Sequence, residues 1–127
     1  MTPKEYVEQA LKTESNDFEA IGDRVQGEEA IRLIHGSMGL VTEAAELQDA
    51  LKKHIFYGKT LDKVNIEEEL ADMLWYMAII TDTLGVPWED IMNRNIKKLK
   101  ARYGDKFNSE GALKRDLKTE RKILEGE

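Results

Sequence analysis

Four carboxylates, Glu43, Glu46, Glu69 and Asp72, stand where they could act together on a ligand. Residues i and i+3 of an α-helix project from nearly one side, about 60° apart at 100° per residue. Glu43 and Glu46 form one such pair, and Glu69 and Asp72 form another. Each acid immediately precedes an apolar residue of its segment: Ala44, Leu47, Leu70 and Met73. Both pairs therefore sit at the same edge of an apolar stripe. Two such helices side by side can bring four carboxylates together, a strongly repulsive cluster without a cation. Oxygen-only ligation suits a hard ion, Mg²⁺ or Mn²⁺. Glu-x-x-Glu is also common on solvated faces, so the spacing alone leaves an ordinary charged surface open. A di-iron carboxylate centre would want Glu-x-x-His on two helices. Here the positions three after Glu43, Glu46 and Glu69 are Glu46, Asp49 and Asp72, and the histidine is missing.

A second constellation is basic. Asn95, Lys98 and Arg102 lie at i, i+3 and i+7, on one helix face, and Lys106 continues the positive run. Amide, ammonium and guanidinium groups suit phosphate oxygens. The competing reading is a solvated, dipole-favoured helix end. Segment charges sharpen the contrast: residues 1–92 hold 8 basic and 19 acidic side chains, while residues 93–106 hold 6 and 1. The acidic bulk argues against nucleic-acid wrapping. His35 lies 11 residues before Glu46, close to three helical turns, and can share its face. Tyr76 follows Asp72 by four residues and can hydrogen-bond near the acids. Lys52, Lys53 and Lys59 are within reach of a phosphate or are simply solvated. His54 suits the negative end of its helix, and Trp75 suits a core or interface. No P-loop, GxGxxG or GxSxG motif is present, and no serine has an evident base partner.

These groups need helices to hold them. With 127 residues the chain has the size of one domain. It has no cysteine, only two prolines, and no apolar run of about 18 residues. MTPKEYVEQA carries no apolar signal region, so the expected setting is cytoplasmic, with no membrane partner. Pro3–Lys12 reads as a first helix, capped by Thr2. Residues 13–27 read as a loop or short broken helix. The second helix runs from about Glu28 to Phe56 on the stripe Leu40, Ala44, Leu47, Leu51 and Ile55, with a kink expected at Gly36 and Gly39. The third runs from about Ile66 to Leu84, with Asn65 as its cap and Leu70, Met73, Met77, Ile80 and Leu84 inward. The fourth runs from about Pro87 to Tyr103. No period-2 run appears, so the fold class is all-α, a helical bundle. The division expected is one helical domain over 1–107 and a charged tail over 108–127, which has few apolar residues to anchor it. Apolar residues left over on long helices suggest an oligomer.

Three blocks, GLVTEAAELQDALKKHIFYGK, NIEEELADMLWYMAIITDTLG and NRNIKKLKARYGDKF, together resemble the MazG-like all-α nucleoside triphosphate pyrophosphohydrolases, over about residues 35–107. That family's metal motif is E-E-x-x-E followed by E-x-x-D. Glu43 and Glu46 match the last two acids of the first part, and Glu69 and Asp72 match the second. Thr42 stands where the first acid would be, which leaves four ligands instead of five. Asn95, Lys98, Arg102 and Tyr103 match the N-x-x-K-x-x-x-R-Y run, which resembles a phosphate-binding part. The resemblance implies a four-helix-bundle-type fold built from a homodimer or homotetramer, with sites shared between subunits. It implies hydrolysis of a (d)NTP to the monophosphate and pyrophosphate with Mg²⁺, Mn²⁺ being able to substitute. Glu46 would orient or deprotonate the attacking water, and Lys98 and Arg102 would stabilise developing charge. His35, Lys53 and Tyr76 join the substrate-binding set. The superfamily includes dimeric dUTPases and phosphoribosyl-ATP pyrophosphohydrolases, so those substrates stand as alternatives, with a non-enzymatic nucleotide-binding oligomer as a third.

Overall fold

The structure, a computed structural model, describes residues 1–126. These form seven α-helices and no strand among the described residues. In chain order they are α1 (Pro3–Ala10), α2 (Phe18–Val25), α3 (Glu28–Tyr57), α4 (Lys63–Leu84), α5 (Trp88–Tyr103), α6 (Ser109–Leu113) and α7 (Leu117–Glu125). The all-α class is as the periodicity predicts. Among the described residues, no helix is long and apolar enough to cross a membrane. The chain divides into two compact units, Met1–Ile79 and Ile80–Glu127, with the boundary inside α4.

The first unit holds α1, α2, α3 and most of α4. Thr2 caps α1 as expected: its hydroxyl accepts from Glu5 N–H while Glu5 bonds back to the Thr2 N–H. The helix tightens into a 3-10 turn at Leu11–Thr13. Residues 18–25, read from sequence as loop or broken helix, form α2, because Asp17 caps it through Ala20 N–H. Gly22 lies within α2 and meets no neighbour. Helix α3 runs unbroken through Gly36 and Gly39, where a kink was expected. Both glycines are buried, and a Cβ on Gly39 would overlap the Tyr76 ring of α4. Gly39 thereby lets two helices approach closely. Gly58, at φ 68°, stops α3, and its N–H bonds the Lys53 carbonyl. His54 Nδ1 is 2.8 Å from the Lys59 carbonyl oxygen and closes the turn beyond.

Helix α4 starts three residues before the expected Ile66. Asp62 takes the capping role assigned to Asn65: its carboxylate accepts from Asn65 N–H at 3.1 Å, and its carbonyl accepts from Ile66 N–H. The Gly39–Tyr76 approach and the meeting of Glu43 with Glu69 make α3 and α4 an antiparallel hairpin. Leu33, Leu40, Leu47, Leu51, Ile66, Met73 and Met77 are half-buried, and no described apolar side chain is fully buried.

The second unit holds the end of α4, then α5, α6 and α7. Gly85, at φ 62°, ends α4, and Gly104, at φ 69°, ends α5. Residues 108–127 were expected to form a charged tail with few apolar residues to anchor it. Asn108 caps α6 through Gly111 N–H, and Asp116 caps α7 through Lys118 and Thr119 N–H. Those bonds, the Thr119 backbone bond first, hold the Asp116 carboxyl below its ordinary pKa. Helix α7 packs along α5, and the anchor is charged: Glu120, only 5% exposed, pairs with Arg102 of α5.

Candidate functional site

The hairpin of α3 and α4 positions three of the four acids. Glu43 follows Gly39 by one turn of α3, while Asp72 and Glu69 precede Tyr76 by one and two turns of α4. The close approach at Gly39 therefore carries through to the carboxylates. Glu43, Glu69 and Asp72 each offer an oxygen, and all three lie within 4.8 Å of one another. Bonds of about 2.1 Å to one ion would hold cis oxygens roughly 3 Å apart, so small side-chain rotations close the set. Glu69 is the buried member at 4% exposure, Glu43 is half-buried, and Asp72 is exposed. The Glu43 carboxyl is raised above its ordinary pKa. Desolvation is the largest cause, followed by a hydrogen bond with Glu69 and the negative charges of Glu46 and Asp72. An anionic cluster that makes ionisation of one member harder is one that a divalent cation would relieve. The donor set is all oxygen, which fits Mg²⁺ or Mn²⁺.

Glu46 lies outside this trio. It is exposed and lines an adjoining cavity of about 370 Å³ with Asp49, Lys53, Asn65 and Glu69. Asn65 Nδ2 donates to Glu69 Oε1 at 2.7 Å. Sequence reasoning missed this role by treating Asn65 as a cap, although its position four before Glu69 is the signal. Lys53 reaches the same cavity but is paired with Asp49 at 2.6 Å, as Lys52 is at 2.5 Å. These two lysines, Lys52 first, hold Asp49 down to about 2. Thr42, standing where the resemblance expects an acid, donates to the Gly39 carbonyl at 2.8 Å. Its hydroxyl thus satisfies its own helix.

The other expected residues of this unit cluster near Gly39. His35 meets Tyr76 edge-on at 5.6 Å and Trp75 at 6.2 Å, and the Trp75 and Tyr76 rings are 4.8 Å apart. Trp75 is 55% exposed, so the group presents an aromatic surface.

In the second unit, α5 carries Asn95, Lys98, Arg102 and Tyr103. Asn95 is exposed and Lys98 half-buried. Tyr103 lies 5.4 Å from the Phe107 ring, and the Arg102 guanidinium lies 5.5 Å from the Tyr103 centroid. Arg102 Nε and Nη2 donate to Glu120 Oε1 and Oε2 at 2.8 and 2.5 Å. Arg115 adds bonds of 3.3 and 2.7 Å to the same carboxylate. Glu120 and Arg115 escaped sequence reasoning, since an 18-residue separation from Arg102 leaves no local pattern to read.

An antiparallel α-helical hairpin that brings Glu43 of α3 to Glu69 and Asp72 of α4 defines a class: all-α domains with an oxygen-only acidic cluster between two helices. Within that class the chain belongs to the MazG nucleotide pyrophosphohydrolase domain family, whose model matches residues 36–107. Glu43, Glu46, Glu69 and Asp72 all fall inside the matched segment, as do Asn95, Lys98, Arg102 and Tyr103. A curated relative, the Gene 37 protein of Mycobacterium phage L5, is 32% identical over 77 residues, 55% of this chain and 65% of the relative. The chain thus spans just under two thirds of that relative's length. No solved structure matches the chain.

Proposed function

We propose that this chain is a divalent-metal-dependent nucleoside triphosphate pyrophosphohydrolase, converting a (d)NTP and water to the (d)NMP and pyrophosphate. The observation that carries the reading is the meeting of Glu43, Glu69 and Asp72 around a buried carboxylate, inside the matched segment. Glu43, Glu69 and Asp72 would hold Mg²⁺ or Mn²⁺. When bound, such an ion neutralises phosphate oxygens and lowers the pKa of a coordinated water. Glu46 lies outside the trio and faces the cavity, which supports it as the proton acceptor. It takes a proton from the water that adds to the α-phosphorus, and pyrophosphate leaves with the electron pair of the broken P–O bond. Asn95, Lys98, Arg102 and Tyr103 serve the phosphates, and Lys98 and Arg102 offset the charge that builds on them. Lys53 is a further cation beside Glu46. His35 and Tyr76 frame the aromatic surface on the nucleoside side.

The working form is a homo-oligomer. Ile31, Ile34, Met38 and Val41 are all exposed at helical steps of 3, 4 and 3 on α3, a stripe that a second copy would cover. Light scattering on the purified chain reads this directly, and a strictly monomeric protein would refute it.

The functional test is pyrophosphate release from a panel of ribo- and deoxynucleoside triphosphates with Mg²⁺, Mn²⁺ or EDTA. Metal-dependent release is the expected result. Release undiminished by EDTA would remove the metal from the reading. No release from any triphosphate would overturn the substrate class.

A further inference from the structure

Glu120 sits on α7, beyond the matched segment, yet it is among the most buried residues of the chain. Its two oxygens accept four N–H groups, two from Arg102 and two from Arg115. Among the described hydrogen bonds, Arg102 gives Glu120 only its Nε and Nη2, the lateral edge of the guanidinium. Its terminal edge, Nη1 with the second N–H of Nη2, takes no part in the Glu120 pair; the guanidinium also meets the Tyr103 side chain, and 14% of the Arg102 side chain stays exposed to another acceptor. The cluster carries two cations and one anion, so it keeps a net positive charge while one arginine is locked in place. An unpaired arginine would lose rotamer freedom on meeting a phosphate, and a held one has already lost it.

We propose that Glu120 is a positioning residue: α7 docks on α5 so that this carboxylate fixes Arg102 with its terminal edge presented to the substrate's phosphates. This rests on the reading of Arg102 as a phosphate ligand. The opposite role, Glu120 as an anion mimic that withholds Arg102, would require the phosphate to break a buried bidentate pair and strand Glu120. Breaking such a pair is strongly unfavourable.

The test is calorimetric titration of the full chain with inorganic pyrophosphate in Mg²⁺ buffer, with thermal melts followed by circular dichroism. Arg102→Ala tests the underlying reading, and Glu120→Gln tests the proposal. Glu120→Asp, which keeps the charge, serves if the first variant fails to fold. Glu120→Gln should raise the pyrophosphate Kd about tenfold in the folded protein, as expected for a misplaced charged group. Glu120→Asp should raise it less. A merely structural role would lower the melting temperature and the binding stoichiometry but leave the Kd of the folded fraction unchanged, and would overturn the proposal. Tighter binding by Glu120→Gln would overturn it in favour of withholding. An unchanged Kd in Arg102→Ala would instead overturn the reading of Arg102, and the proposal with it.

Discussion

Replacing Gly39 by alanine sets two opposing effects against each other. Alanine is better than glycine inside a helix by about 1 kcal/mol. At Gly39 the new Cβ would overlap three atoms of the Tyr76 ring. That ring cannot simply swing aside, because it is packed against His35 at 5.6 Å and Trp75 at 4.8 Å. Overpacking of this kind costs roughly 1–3 kcal/mol, so the net change should run from near zero to about 2 kcal/mol of destabilisation. Gly22 provides the control: it is also inside a helix, but its Cβ would meet nothing within 4 Å. Gly22→Ala should therefore stabilise by up to about 1 kcal/mol. At roughly 3–6 °C per kcal/mol for a chain of this size, the two variants should melt several degrees apart, Gly39→Ala lower. The assay is thermal denaturation in EDTA, followed by Mn²⁺ titration. Moving α3 from α4 at Gly39 also draws Glu43 away from Glu69 and Asp72, so Gly39→Ala should bind Mn²⁺ more weakly. A Gly39→Ala protein that melts at or above the parent, with unchanged Mn²⁺ affinity, would refute the close-approach argument.

Glu69→Gln preserves the shape of the side chain and the acceptor that Asn65 uses, so helical circular dichroism should be unchanged while pyrophosphate release falls by more than about a hundredfold; retained turnover would remove Glu69 from the site. Asn65→Ala frees the Glu69 carboxylate to rotate and should weaken Mn²⁺ binding about tenfold with little change in melting temperature, and equal affinity in the two proteins would count against any role for Asn65 in holding Glu69. Glu120 has a folded pKa of about 2 against an ordinary 4.5, with Arg102 the larger cause and Arg115 next. The depressed value means that the stabilisation is complete above pH 4.5 and is lost as pH falls towards 2, when the unfolded form takes up the proton first. The protection of α7 amides, taken relative to unstructured peptide at the same pH, should therefore be high at pH 5 and fall through that window; protection lost already at pH 6 would show that another group holds the helix.

The major helices were legible because they obey local rules, and the i, i+3 spacing of the acids is a local rule too. The stripe through Leu40, Leu47 and Leu51 and the adjacent i, i+3 acids are patterns within one helix, and the structure places three of those acids together. Asn65 was misassigned because the cap rule was applied to the residue nearest the first apolar position, while Asp62, three residues earlier, satisfies that donor. Gly39 looked like a helix weakness, since its partner, the Tyr76 ring, lies on another helix. The tail looked unanchored because anchoring was sought in apolar residues, whereas α7 is tied by Glu120 to Arg102 and Arg115. What escaped were contacts between elements distant in sequence, and these are the contacts that set the geometry of the candidate site.

If a second copy covers the open stripe of Ile31, Ile34, Met38 and Val41, as proposed, the stability of this chain follows its abundance. A surface that only a second molecule can cover contributes to folding by mass action, so its effect grows with protein concentration. Dilution of the proposed oligomer below its dissociation constant would leave those side chains in water and return the hairpin to the weak half-burial of a lone copy. The proposed metal site on α3 and α4 would lose definition with it, and its metal affinity would then follow protein concentration.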